Sequence, residues 1–233
     1  MMKKRVLCVM HQRNSSTGQV GKALKQLGIG VQALRPLCGQ RIPRDLGQFD
    51  GLVIFGGPMS ANDDHFPGIR LELKLIERWM MMDRPIWGIC LGAQLMARVL
   101  GSLVRPSHDK RVEIGWYPLK SLGHGKEIFR SLSHVYQWHR EGFELPKGTE
   151  RLATGIQGAA FSEQAFGIGR HVLGTQFHPE MHSTMMQGWL TRAGHMLDLP
   201  GAFGVDNHRI GIKKNYAKQS VWVKSTLGQW LEG

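Results

Sequence analysis

Between residues 5 and 101 the chain repeats one pattern: a short apolar run followed by an amphipathic stretch with helical spacing. "RVLCVM" (5–10), "GVQAL" (30–34), "DGLVIFGG" (50–57) and "RPIWGI" (84–89) read as strands. The third is apolar throughout, as a strand covered on both faces should be. "TGQVGKALKQLG" (17–28) sets Val20, Leu24 and Leu27 on one helical face, with Gly28 as its stop. "GIRLELKLIERWMMM" (68–82) groups Leu75, Ile76, Trp79 and Met80 in the same way. "LGAQLMARVLG" (91–101) turns Leu95, Met96, Val99 and Leu100 inward and ends at Gly101. Alternation of this kind predicts an α/β fold.

After residue 101 the pattern changes to strands joined by short turns, at "VEIGWYPL", "HVYQWH", "GAAFSEQAFGI" and "HVLGTQF". A helix is predicted over "STMMQGWLTRAGHML" (183–197), and residues 197–233, rich in Gly and Lys, carry no assignable pattern. A chain of 233 residues fits one domain. The expectation is a single domain over 1–233, its core at about 5–195, with 197–233 as a C-terminal extension.

The net charge of +12 is the one unusual bulk property. Its mild concentration, "HRIGIKKNYAKQSVWVKS" (208–225), contains no acid, yet no helix-turn-helix, zinc-finger or RNP-like pattern accompanies it. A solvated basic face is therefore expected rather than a nucleic-acid site. No apolar stretch approaches the ~20 residues that cross a bilayer. The apolar run of "MMKKRVLCVMHQ" is too short for a signal-peptide core and reads as the first strand. Three cysteines, Cys8, Cys38 and Cys90, have no metal-type spacing and suit a reduced, cytoplasmic chain without a disulfide framework or metal.

Three stretches carry chemistry. Gly88-Ile89-Cys90-Leu91-Gly92 lies where a strand turns into a helix. A nucleophile at such an elbow has a strained backbone, and small residues two positions either side keep from crowding it. The following helix N-terminus favours a thiolate, and the Leu91 amide would face an oxyanion formed beside the sulfur. A buried structural cysteine at a tight turn is the competing reading of this motif alone. In "GTQFHPE" (174–180), His178 ends an apolar strand and Glu180 is placed to hold one imidazole nitrogen while the other faces a thiol. In "FGGPMS" (55–60), adjacent glycines let backbone amides approach a substrate, and the Gly57 N–H is the expected second oxyanion donor.

"LVIFGGPMS", "PIWGICLGAQ" and "LGTQFHPE", in that order, resemble the class I, triad-type glutamine amidotransferases. "VEIGWYPL", "YQWHREGFELPKG", "RLATG" and "EQAF" look like the branch related to the amidotransferase domain of GMP synthase. The resemblance covers roughly residues 5–195. It implies a flavodoxin-like three-layer sandwich with a mostly parallel, seven-stranded-type mixed sheet flanked by helices. It implies Cys90 as nucleophile, His178 as base, Glu180 as its orienter, and the Gly57 and Leu91 amides as the oxyanion hole. Gly56, Gln94 and the loop Gln137-Trp138-His139 are then substrate-binding, the loop largely through its backbone. Glutamine is the implied substrate, no cofactor is implied, and a separate synthase subunit or ammonia-accepting enzyme is the implied partner. The family's GMP synthases continue into an ATP-using domain, for which these 233 residues leave no room, and no Walker-type run is present.

The expected reaction is attack of the Cys90 thiolate on the glutamine side-chain amide, releasing ammonia and then glutamate. A γ-glutamyl peptide hydrolase with the same triad is the rival enzyme. A regulatory protein that keeps the fold would have lost Cys90, His178 or Glu180, and all three are present.

Overall fold

A computed structural model describes residues 3–232. The first half follows the predicted alternation: β1 (Arg5–Val9), α1 (Gly18–Gln26), β2 (Gly30–Leu34), β3 (Gly51–Ile54), α2 (Pro67–Met80), β4 (Ile86–Ile89) and α3 (Leu91–Val99). The middle contains β5 (Val104–Pro106), β6 (Glu113–Pro118), β7 (Lys120–Ser121), a single turn α4 (Gly125–Ile128), β8 (His134–His139) and β9 (Glu141–Phe143). It continues with β10 (Glu150–Thr154), β11 (Glu163–Ile168), β12 (Val172–Thr175), α5 (Ser183–Ala193) and α6 (Val205–Trp230).

Eight strands form the central sheet, in the order β2-β1-β3-β4-β12-β11-β10-β7. The first five run parallel, and β11, β10 and β7 add antiparallel to them in turn. The sheet is thus mixed and mostly parallel, with one strand more than the seven-stranded type because the two-residue β7 joins its edge. The pairs β5–β9 and β6–β8 form separate two-stranded ribbons.

The side-chain period of two along a strand divides the core between the faces of the sheet. Val6, Cys8, Val53, Trp87 and Ile89 pack on one face beneath α1 and α6. Leu7, Val9, Leu52, Ile54 and Ile86 pack on the other beneath α2 and α3. The helical faces agree with the predicted spacing in α1 at Val20 and Leu24 and in α2 at Leu75, Ile76 and Trp79. Leu27, beyond the last turn of α1, is 36% exposed. In α3 every residue from Leu91 to Ala97 is buried, whereas Val99 and Leu100 are half-buried, because its first two turns are wedged between the sheet and α2.

The stretch that carried no pattern in the sequence shares one helical layer with α1. In α6, Trp222, Val223, Leu227 and Trp230 enter the same core as β1, β3 and β4. The Trp222 ring meets Trp87 edge-on at 5.7 Å, and its indole N–H donates to the Ile128 carbonyl at 2.7 Å. The Trp230 indole donates to the His171 carbonyl at 2.8 Å. Each such side chain contributes about 1.5–3 kcal/mol by leaving water.

Candidate active site

In a parallel sheet, side chains that act on substrates gather at the carboxyl ends of the strands. Here β3, β4 and β12 are neighbours, with Ile54 opposite Gly88 and Ile89 opposite Thr175. The residues that follow these pairs are Gly56-Gly57, Cys90 and Gln176-Phe177-His178, so the register brings the three sequence-distant motifs to one edge, with Cys90 central.

Cys90 has φ 51° and ψ −108°, and its amide donates to the Thr175 carbonyl at 2.8 Å. A non-glycine residue in this region costs on the order of 1–3 kcal/mol. Two flanking glycines make the turn sterically feasible. A Cβ on Gly88 would lie 2.6 Å from the Gly92 carbonyl carbon and the Ala93 nitrogen, and one on Gly92 would collide with the Ile54 carbonyl. The cysteine is consequently held directly before the first turn of α3, whose leading amides have no acceptor within the helix.

His178 is 2% exposed and Glu180 3%. The His178 Nδ1 lies 2.8 Å from Glu180 Oε1, and Nε2 has no hydrogen-bond partner within the protein. A Cβ on Gly56 would stand 2.6 Å from His178 Cε1 and 3.4 Å from Cys90 Cβ, so Gly56 lies directly against both side chains. Burial disfavours a charge on His178, yet Glu180 and the Cys90 sulfur outweigh it and push the imidazole pKa up to about 10. A protonated ring between a carboxylate and a thiol suits covalent catalysis by sulfur, because it can protonate a leaving group.

A cavity of about 350 Å³ opens at this edge, and Cys90, Gly56, Gly57, Gln94 and His178 line it. Gln94 is 3% exposed, and its amide nitrogen donates to the Glu141 carbonyl at 2.7 Å and to Gln176 Oε1 at 3.3 Å, so both of its amide hydrogens are engaged. Residues Gln137-Trp138-His139, expected as a loop, are instead the end of strand β8 paired with β6, and of them Trp138 and His139 reach the cavity wall and Gln137 does not. The Gln137 amide instead donates to Gln164, whose own amide donates to Glu113 at 2.9 Å. Both His139 nitrogens are engaged, Nδ1 with the Glu141 carbonyl at 2.9 Å and Nε2 with Glu113 at 3.2 Å. His139 is therefore a fastened wall residue and not a second base.

The structure also brings in residues that no motif indicated. Trp189, Arg192, Ala193 and Met196 complete the wall from α5 and the turn after it, and Trp189 packs edge-on against His178 at 4.8 Å. Their spacing of i, i+3, i+4 and i+7 is a single helical face, and that periodicity was the signal available in the sequence. Arg140 adds a second guanidinium to the wall. Among the described residues no cluster of His, Cys, Asp and Glu has the arrangement of a metal site.

The family model for class-I glutamine amidotransferases matches residues 12–194. The chain belongs to this family. The amidotransferase-like protein YfeJ of Salmonella typhimurium is 30% identical over 79% of both chains. A glutamine-hydrolysing GMP synthase subunit of Saccharolobus solfataricus is 29% identical over 70% of this chain and 82% of its own. Against the longer GMP synthase of Cytophaga hutchinsonii the match spans only 29% of that protein's length. Among solved structures, a glutamine amidotransferase from Thermotoga maritima superposes with a TM-score of 0.88, at 25% identity and full coverage of both chains. This amidotransferase-family chain therefore has the fold of its relatives over α6 as well as over the matched core. No helix among its described residues is long and apolar enough to cross a membrane.

Proposed function

We propose that this protein is a cysteine-dependent glutamine amidohydrolase with Cys90, His178 and Glu180 as its triad. The observation that carries this reading is the buried imidazole, with one nitrogen on Glu180 and the other unpartnered beside a strained cysteine. The Cys90 thiolate attacks the γ-amide carbon of glutamine. The amides of Gly57 and Leu91 stabilise the tetrahedral oxyanion, each contributing ~3 kcal/mol to the transition state. The His178 imidazolium protonates the departing ammonia, leaving a γ-glutamyl thioester and a neutral ring. That ring then takes a proton from water, which attacks the thioester to release glutamate and the thiol. Glu180 holds the ring and balances its charge. Gly56, the Gln94 carbonyl oxygen and the backbone of 137–139 position the substrate.

The relative named as a GMP synthase subunit supports a separate acceptor of the ammonia as partner. The three unbridged cysteines fit a reducing, cytoplasmic setting. A glutamine-mimicking electrophile should label the protein once, with the added mass on Cys90, and Cys90→Ala should abolish ammonia release while the fold remains. Ammonia release by Cys90→Ala at the parent rate would refute the assignment.

A second reading, γ-glutamyl peptide hydrolysis by the same triad, draws support from Arg140 and Arg192 in the cavity wall, where an anionic leaving group would meet them. Comparing ammonia release from glutamine with cleavage of γ-glutamyl dipeptides separates the two.

A further inference from the structure

Behind the Gly56-Gly57 loop lies a buried pair that the chemistry above does not use. His11 follows β1 and is 2% exposed, and Glu72 of α2 is wholly buried. The His11 Nε2 lies 2.8 Å from Glu72 Oε2, and its Nδ1 lies 3.0 Å from the Gly56 carbonyl oxygen. A carbonyl only accepts, so Nδ1 carries a proton however the other proton is shared with Glu72. The ring also packs on the next residue: a Cβ on Gly57 would lie 2.8 Å from His11 Cγ.

The 56–57 peptide is trans and planar, so its C=O and N–H point in opposite directions. Fixing the Gly56 oxygen on His11 therefore turns the Gly57 N–H away from His11. Gly56 itself abuts His178 and Cys90 at the position of its missing Cβ. Neither glycine has a Cβ to resist rotation of the plane. Without an anchor the peptide can turn over and direct the Gly56 oxygen, a repulsive dipole, at a developing oxyanion. We propose that His11, braced by Glu72, is a positioning residue that locks this peptide with the Gly57 N–H offered to the oxyanion. The inference rests on the amidohydrolase reading.

Two substitutions separate positioning from mere core support. His11→Asn keeps a donor near the Nδ1 position and gives up Glu72. His11→Gln keeps a donor near the Nε2 position, satisfies Glu72 and gives up Gly56. With glutamine as substrate, His11→Asn should keep kcat within about fivefold, whereas His11→Gln should lose roughly ten- to a hundredfold, the worth of one charge-assisted hydrogen bond. KM should change little in either. The rate at which iodoacetamide alkylates Cys90 should be equal in both, because displacement of iodide builds no oxyanion. The proposal is overturned if His11→Gln is as active as His11→Asn, if alkylation falls with kcat, or if activity follows melting temperature in place of the Gly56 donor. The parent protein is the control. A parent that releases no ammonia removes the amidohydrolase reading itself, whereas an active parent with an undiminished His11→Gln variant refutes the positioning role alone.

Discussion

Adding one methyl group at Gly56 tests the site geometry more sharply than removing a catalytic side chain. In Gly56→Ala the new Cβ would meet His178 Cε1 at 2.6 Å, and ordinary van der Waals contact begins near 3.4 Å. Opening that gap moves the ring by roughly 0.8 Å, and a misplacement of about 1 Å in a reacting group costs on the order of a hundredfold in rate. The ring cannot yield freely, because Glu180 holds it at 2.8 Å and Trp189 packs against it at 4.8 Å. The loop holding Gly56 cannot yield freely either, since its carbonyl is bound to His11. The expected outcome is a fall of about a hundredfold in kcat/KM for glutamine, with a stability loss of about 1–3 kcal/mol that leaves the protein folded at the assay temperature. The assay is ammonia release, read through a coupled dehydrogenase, beside a thermal melt. Gly204→Ala serves as the comparison, because a Cβ there meets nothing within 4 Å. If Gly56→Ala retains activity within about threefold of the parent, the close fit of Gly56 against His178 does not govern catalysis, and the link from a displaced ring to a lost rate fails.

Four further outcomes follow from the same structure. The proton that leaves with ammonia sits on an imidazole whose pKa is raised to about 10, so the ring stays protonated through neutral pH and kcat/KM should decline only as pH rises through about 10. Glu180→Gln removes one of the charges that raise it, so the alkaline limb of a pH–rate profile should move to lower pH. Trp222→Ala, which vacates a site against Trp87, Phe129 and Phe177, should lower stability by about 3–5 kcal/mol in a denaturant titration. Gly228→Ala, in α6 with open space around it, should raise stability by about 0.5–1 kcal/mol in the same titration.

Much of the site was legible because local chemistry dictated it. Gly88 and Gly92 are needed around a cysteine at φ 51°, and the turn they permit is written within five residues. The strands and helices up to Gly101 were legible for a similar reason: each buries a face whose apolar period is its own. The cavity wall was only half legible. Trp138 and His139 reach it, but Gln137, on the same face of β8 as His139 and two residues before it, is tied to Gln164 and stops short of the cavity, and the motif does not show where along the strand the cavity ends. His11 and Glu72 stand 61 positions apart, and nothing in either neighbourhood marks them as partners.

The C-terminal helix separates most clearly what sequence and tertiary structure decide. The inward face of α6 mixes His208, Gly211, Gln219 and Thr226 with its tryptophans, and its outer face carries Ile210 and Val221 at 52% and 70% exposure. No apolar stripe survives that mixture. The polar residues can be buried only because distant groups receive them: His208 contacts Tyr136 at 2.9 Å, and Gln219 donates to the Pro179 carbonyl at 3.0 Å. By itself the sequence showed the alternating α/β half, the glycine-flanked cysteine turn and the nearness of His178 to Glu180, each written in the spacing of a few residues. Only the tertiary structure decided that β3, β4 and β12 lie side by side, that α6 closes the sheet, and which polar side chains find buried partners, because those partners lie tens of residues away.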